Sequence, residues 1–143
     1  MTVNPLPTDP TGASSDVSTF CAGTVDTITL TSTGGSGSTL RWYSGACGGS
    51  LVGTGSPLVI PAPAATTTYF ARWENSCGVT SCVSTTVTVY SADFDHSGFV
   101  DIEDYTAFIL AFEAGDDSAD FDLSGFVDIE DFTAFVQAFE QGC

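Results

Sequence analysis

Between residues 25 and 90 the chain alternates in short runs. In Thr27-Ile28-Thr29-Leu30-Thr31, and again through 83–89, Val, Ile and Leu alternate with Thr and Ser. That period of two belongs to a strand with one buried and one wet face. Strands are predicted over 25–31, 40–43, 58–60, 67–73 and 83–90, with Gly34-Gly35-Ser36-Gly37, Gly48-Gly49 and Pro61-Ala62-Pro63 as turns and breaks between them. Short strands at this spacing predict an all-β sandwich. Residues 1–16, with Pro5, Pro7 and Pro10, read as an extended arm that could add a strand to a neighbour's sheet.

Beyond residue 91 the period lengthens. Ile102, Tyr105, Phe108, Ile109 and Phe112 recur at helical spacing, as do Ile129, Phe132, Phe135, Val136 and Phe139. Asp101 and Asp128 precede these runs as N-caps, each with an acid three residues on, Asp104 and Asp131. Two short helices are predicted, packed together through the apolar stripes. Residues 91–115 and 118–142 agree at 20 of 25 positions, so the segment is a tandem duplication with a period of 27. The predicted organisation is an arm at 1–16, a β-sandwich at 17–91 and a small helical module at 92–143.

Charge sharpens this division. Only Arg41 and Arg72 are basic against eighteen acidic residues, and the formal net charge is −16. Nucleic acid and anionic membrane surfaces would be repelled. Fourteen of the eighteen carboxylates lie from Asp93 onward, where there is no Lys or Arg. Such a block needs a cation from elsewhere. It is too rich in Phe to be a disordered acidic tail. No apolar run reaches the length of a membrane span. Residues 1–5 lack the basic and apolar regions of a signal peptide, so export would require a leader already removed.

The acids fall at ligand spacing. Counting Asp93 as position 1, Asp95, Ser97, Gly98, Asp101 and Asp104 stand at 3, 5, 6, 9 and 12, with the Phe99 carbonyl at 7. Asp120, Asp122, Ser124, Gly125, Phe126, Asp128 and Asp131 repeat the arrangement. A calcium ion takes six to eight oxygens, and this spacing wraps a chain around one ion, with Gly at 6 for the sharp turn. Two calcium ions are expected. Ser at 5 and Asp at 12 depart from the EF-hand loop, which closes on a bidentate Glu. Val100 and Val127, at position 8, suit a short β-bridge between the two loops.

A duplicated loop with Asp at position 12, one helix after each loop and none before it resembles the dockerin modules. The closing Gly142-Cys143 resembles a dockerin-like subgroup that ends in Gly-Cys. The resemblance implies recognition residues at loop positions 10 and 11 and helix positions 17, 18 and 22. These are Ile102, Glu103, Ile109, Leu110 and Ala114 in one copy, and Ile129, Glu130, Val136, Gln137 and Gln141 in the other. The hydroxyl and basic residues usual there are missing, so the implied partner is not a familiar cohesin.

The sandwich resembles immunoglobulin-like modules of secreted bacterial surface proteins, on Cys21 ahead of a strand, Leu40-Arg41-Trp42-Tyr43 and the run Thr66-Thr67-Thr68-Tyr69-Phe70-Ala71-Arg72. Five cysteines without a second His or Cys set read as disulfides in an oxidising, extracellular setting. The immunoglobulin-like topology implies the pairs Cys21–Cys47 and Cys77–Cys82, one of three connectivities, with Cys143 left over.

His96, the only histidine, stands at loop position 4 without a nucleophile, and the close carboxylate pairs are spent as calcium ligands, so no enzyme is expected. The expected function is a secreted structural or assembly protein at the cell surface, joining copies head to tail into a filament. Its partner would be itself or a cohesin-like β-sandwich. Alternatives are the C-terminal anchoring region of a larger secreted protein or enzyme, and a carbohydrate-binding sandwich using Trp42, Tyr43 and Trp73. Threonine-rich stretches such as 66–68 could carry O-linked sugars.

Overall fold

A computed structural model describes residues 3–143. The chain divides into two compact units, Met1–Val89 and Tyr90–Cys143.

The first unit is a β-sandwich. Its strands are β1 (Gly12–Ser15), β2 (Thr19–Cys21), β3 (Thr27–Thr33), β4 (Thr39–Ser44), β5 (Ser50–Thr54), β6 (Leu58–Pro61), β7 (Thr67–Asn75), β8 (Gly78–Val79) and β9 (Val83–Tyr90). One sheet has the order β1-β3-β6, and the other the order β2-β9-β7-β4-β5 with β8 paired to β7. The alternation in β3 buries Ile28 and Leu30 completely, and they meet Leu40, Trp42, Ala71 and Val87 from the facing sheet. Burial of this kind, about 25 cal/mol per Å² of apolar surface, is the main drive holding two sheets face to face.

All five predicted strands are present. The N-terminal arm is not free, however. Gly12–Ser15 form β1, in antiparallel register with β3 from Gly12 opposite Thr33 to Ser15 opposite Leu30. The Asp16 carboxylate then accepts from the Thr29 amide at 2.7 Å, and Asp9 accepts from the Ser81 amide. The arm therefore completes its own sheet instead of a neighbour's, because the edge of β3 offers it unpaired backbone groups.

Trp42 and Tyr43 are neighbours on β4 and face opposite ways. Trp42 is wholly buried and donates from Nε1 to the Gly55 carbonyl at 3.0 Å. Tyr43 lies under the Arg72 guanidinium, 4.9 Å from its ring centre, and donates its hydroxyl to Glu74. Neither ring is available to stack on a sugar. Glu74 also receives Arg41 at 3.2 Å and Arg72 at 2.8 Å, so both cations of the chain converge on one carboxylate. Burial pushes the Glu74 carboxyl up, but the Tyr43 hydroxyl and Arg72 outweigh it and hold the group below its ordinary value.

The disulfide pattern also differs from the expected one. Cys47 is bonded to Cys82, with Cα atoms 5.9 Å apart, and Cys77 is a free, exposed thiol. Cys21 and Cys143 are disulfide-bonded too, so Cys143 is not the odd residue. The geometry of β8 explains the change. Cys77 sits at the tip of the β7–β8 hairpin, where Asn75 pairs with Gly78. From that tip the chain runs back along β7, with Thr80 bonded to Trp73 and Val83 opposite Ala71, which carries Cys82 away from Cys77; a disulfide needs Cα atoms within roughly 7 Å. The β4–β5 turn instead leans over β7: a Cβ on Gly48 would lie 2.8 Å from the Arg72 guanidinium. Cys47 thus reaches the start of β9, because Ala71, next to Arg72, pairs with Val83. No helix among the described residues is long and apolar enough to cross a membrane.

Two outcomes are expected. Cys47→Ser should lower stability by about 2–4 kcal/mol, by releasing a 35-residue closure, whereas Cys77→Ser should change it by less than about 0.5 kcal/mol. Denaturant unfolding of both variants checks this. Glu74→Gln should cost about 1 kcal/mol at neutral pH. Because the folded pKa of Glu74 is lowered, its contribution is present above the ordinary carboxylate range and lost as pH falls through the lowered value. The gap to the parent protein should close there, as read by tryptophan emission, since both tryptophans lie in the sandwich.

Candidate metal centre

The second unit consists of loop, helix, loop and helix, with no helix between β9 and the first loop. The helices are α1 (Ile102–Ala114) and α2 (Ile129–Gln141), joined through a short 3-10 turn at Asp117–Ala119. Asp101 and Asp128 cap them, accepting from the amides of Glu103 and Glu130, with full capping boxes completed by Asp104 and Asp131. Gly115 and Gly142 end them in the left-handed conformation. The Ala92 amide donates to the Cys143 carbonyl at 3.2 Å, closing the two ends of the module on each other.

Each loop turns back at glycine. Gly98 and Gly125 have φ of 92° and 90°, and the fourth loop residues His96 and Leu123 share φ of 62° and 60° despite their different side chains. The Gly98 and Gly125 amides donate to Asp93 and Asp120, and those of Ser97 and Ser124 donate to Asp95 and Asp122. Backbone donors therefore aim the first two acids of each loop inward.

The carboxylates of Asp93, Asp95 and Asp104 lie within 4.8 Å of one another, and so do those of Asp120, Asp122 and Asp131. Asp104 and Asp131 are fully buried. Asp104 accepts from the amides of Asp95 at 3.0 Å and Asp101 at 2.8 Å, and Asp131 accepts from Asp122 and Asp128 at the same distances. Burial pushes both carboxyls up, yet these amide donors outweigh it and keep them below the ordinary value. Both are thus held as anions. The Ser97 and Ser124 hydroxyls lie 3.3 Å from the carbonyls of Phe99 and Phe126, which sets one hydroxyl and one carbonyl together in each loop. Asp101 and Asp128 stand apart from the triads as helix caps. Asp93 Oδ1 is buried without a hydrogen-bond donor among the described residues, an acceptor left open to a cation.

The oxygen-only donor set has the chemistry of a hard-cation site, and the module has no Lys or Arg to pair with it. The expected β-bridge between Val100 and Val127 is absent among the described residues. Aromatic rings join the repeats instead. Phe108 and Phe135 stack with centroids 4.0 Å apart and planes 3° from parallel. Phe94 meets Phe108 edge-on at 5.5 Å, and Phe121 meets Phe135 likewise at 5.5 Å. Phe94 and Phe121, at loop position 2, were not expected in the core. Their signal was the Asp-Phe-Asp alternation, which points the acids one way and the ring the other. Ile102 and Ile129, expected in the core, are 68% and 64% exposed. Each opens its helix, too far along the axis to reach the Phe stack.

Two sheets packed around Trp42, with Cys47–Cys82 stapling the larger one, make the first unit an immunoglobulin-like β-sandwich. The family model described as Ig-like domain CHU_C associated matches residues 7–90. The chain belongs to that family. The match begins within the N-terminal arm, in keeping with the pairing of β1, and it ends just ahead of the carboxylate loops. No curated protein and no solved structure matches the chain.

Phe135→Ala should destabilise the helical module by about 3–5 kcal/mol, since it removes the ring at the centre of five aromatic contacts among the described residues. A lower denaturation midpoint in the far-ultraviolet helical signal would register it.

Proposed function

We propose that residues 90–143 are a calcium-dependent docking module of dockerin-like kind. The chain as a whole is a non-enzymatic, secreted assembly protein that joins a β-sandwich partner, in the first instance a second copy of itself. The observation that carries this reading is the pair of carboxylate triads, each closed by a buried anionic Asp, in a module with no cation of its own.

Asp93, Asp95, Ser97, the Phe99 carbonyl and Asp104 would hold one ion, and Asp120, Asp122, Ser124, the Phe126 carbonyl and Asp131 the other. Asp101 and Asp128 would reach it through water, as position 9 often does in such loops. Without an ion the clustered carboxylates repel, so binding and folding are one event. An affinity of about 10⁻⁴ to 10⁻³ M would suffice outside the cell. The disulfides and the immunoglobulin-like domain are compatible with that setting.

Docking is supported by what the module leaves uncovered. Ile102, Ile129 and Leu110 are 64–68% exposed, at positions that the dockerin resemblance assigns to recognition, and Phe99 and Phe126 are 75% exposed. Large apolar side chains held at the surface of so acidic a unit suit a partner's contact. A sandwich on one part of the chain and a docking module on the other make a heterologous contact, which extends into filaments when it does not close.

Calcium should raise the far-ultraviolet helical signal and the midpoint of the module, and a double Asp104→Asn, Asp131→Asn variant should lose most of that response. A metal-independent spectrum would sink the calcium reading. Light scattering and negative-stain imaging should then show calcium-dependent oligomers that chelator disperses, whereas uniform monomers in both conditions would sink self-assembly.

A further inference from the structure

We infer that the sandwich carries a binding groove for a neutral saccharide at the end where the β3–β4 and β5–β6 connections meet. The groove has a volume of about 560 Å³, within the range of ligand sites. Its floor is the buried Leu40, one wall runs from Gly34 to Thr39, the opposite wall is Thr54-Gly55-Ser56, and Trp73 closes one side.

The walls are built rather than incidental. Trp73 Nε1 donates to the Gly34 carbonyl at 3.1 Å, and Trp42 Nε1 donates to the Gly55 carbonyl at 3.0 Å. The Ser56 hydroxyl ties the β5–β6 connection to the end of β3, accepting from the Ser32 amide at 2.9 Å and donating to the Ser32 carbonyl at 3.2 Å. The Gly55 amide donates to Leu40 and the Ser38 amide to Glu74. A Cβ on Gly35 would lie 2.7 Å from Trp73 Cδ1, and Gly35 has φ of 73°, so glycine there lets the loop lie against the indole. A groove held in this way is ordered before a ligand arrives, which removes part of the entropic cost of binding.

Its chemistry points to an uncharged polyol. In a chain of net charge −16, none of the ten lining residues is charged. The hydroxyls of Ser38, Thr39 and Thr54 border it without a hydrogen-bond partner among the described residues. A sugar ring presents hydroxyls around its edge and C–H groups on its face. Free Ser and Thr hydroxyls match the edge, and Leu40 with the partly exposed Trp73 matches the face. This site involves neither the carboxylate loops nor the proposed docking.

The test is a titration of the calcium-loaded full chain with neutral oligosaccharides of glucose, mannose and xylose, followed by the two indole N–H resonances in nuclear magnetic resonance spectra. Each indole N–H is bonded to one wall, so a ligand in the groove should move both, saturably, for at least one sugar series. Thr54→Val keeps the shape of an exposed side chain, and it should weaken that binding about fivefold, the worth of one hydrogen bond, with the remaining spectrum unchanged. Uronic-acid oligomers should bind more weakly than their neutral counterparts. The proposal is overturned if no neutral series gives a saturable shift up to about 10 mM, if uronic acids bind more tightly, or if Thr54→Val leaves the shifts and affinity unaltered.

Discussion

Two buried carboxylates organise the C-terminal module. Asp104 and Asp131 have no exposed surface and no Lys or Arg anywhere in their unit to pair with. Each is kept charged by backbone amides from two directions: the loop that precedes it and the N-cap of its own helix. A single side chain therefore fixes the angle between loop and helix, while the amides of Gly98, Gly125, Ser97 and Ser124 aim two further acids of each loop toward it. Burying a charge is costly unless it is paired. The loops meet part of that requirement with amides, and the rest is what the proposed cation would supply.

The same loops carry the core. Phe94 stands between Asp93 and Asp95, and Phe121 between Asp120 and Asp122, so extended backbone sends acids to one side and a ring to the other. The rings close edge-on against the Phe108–Phe135 stack. Ligand geometry and aromatic packing are thus two faces of one short segment, and a change in either is felt in the other.

Much of this was legible in the chain, and the misses have physical reasons. Strands with a period of two and large apolar residues, such as β3 and β9, announced themselves. β1, β2, β5 and β8 did not: Gly-Ala-Ser-Ser and Gly-Val are held by backbone pairing to a neighbouring strand, which leaves little trace in side-chain pattern. Cysteine pairing depended on how far β8 runs back along β7, a distance that spacing alone does not give. Ile102 and Ile129 have the right period for the core but sit one turn before the stack begins. The carboxylate spacing places three acids of each loop within 4.8 Å of one another, and Asp101 and Asp128 cap the helices as their place ahead of the helical period predicts, because an N-cap there satisfies free amides.

The pairing of the two repeats across one aromatic stack has a consequence for inheritance. Phe112 of the first copy packs on Phe132 of the second, and Tyr105 on Phe139, in matched fashion around the central pair. Either 27-residue copy on its own would expose half of a core and fold around nothing. Selection can then act on the pair but not on its halves: deletion of one repeat removes the whole module, while outward-facing positions outside the proposed contact, such as His96 and Leu123, are free to diverge between copies.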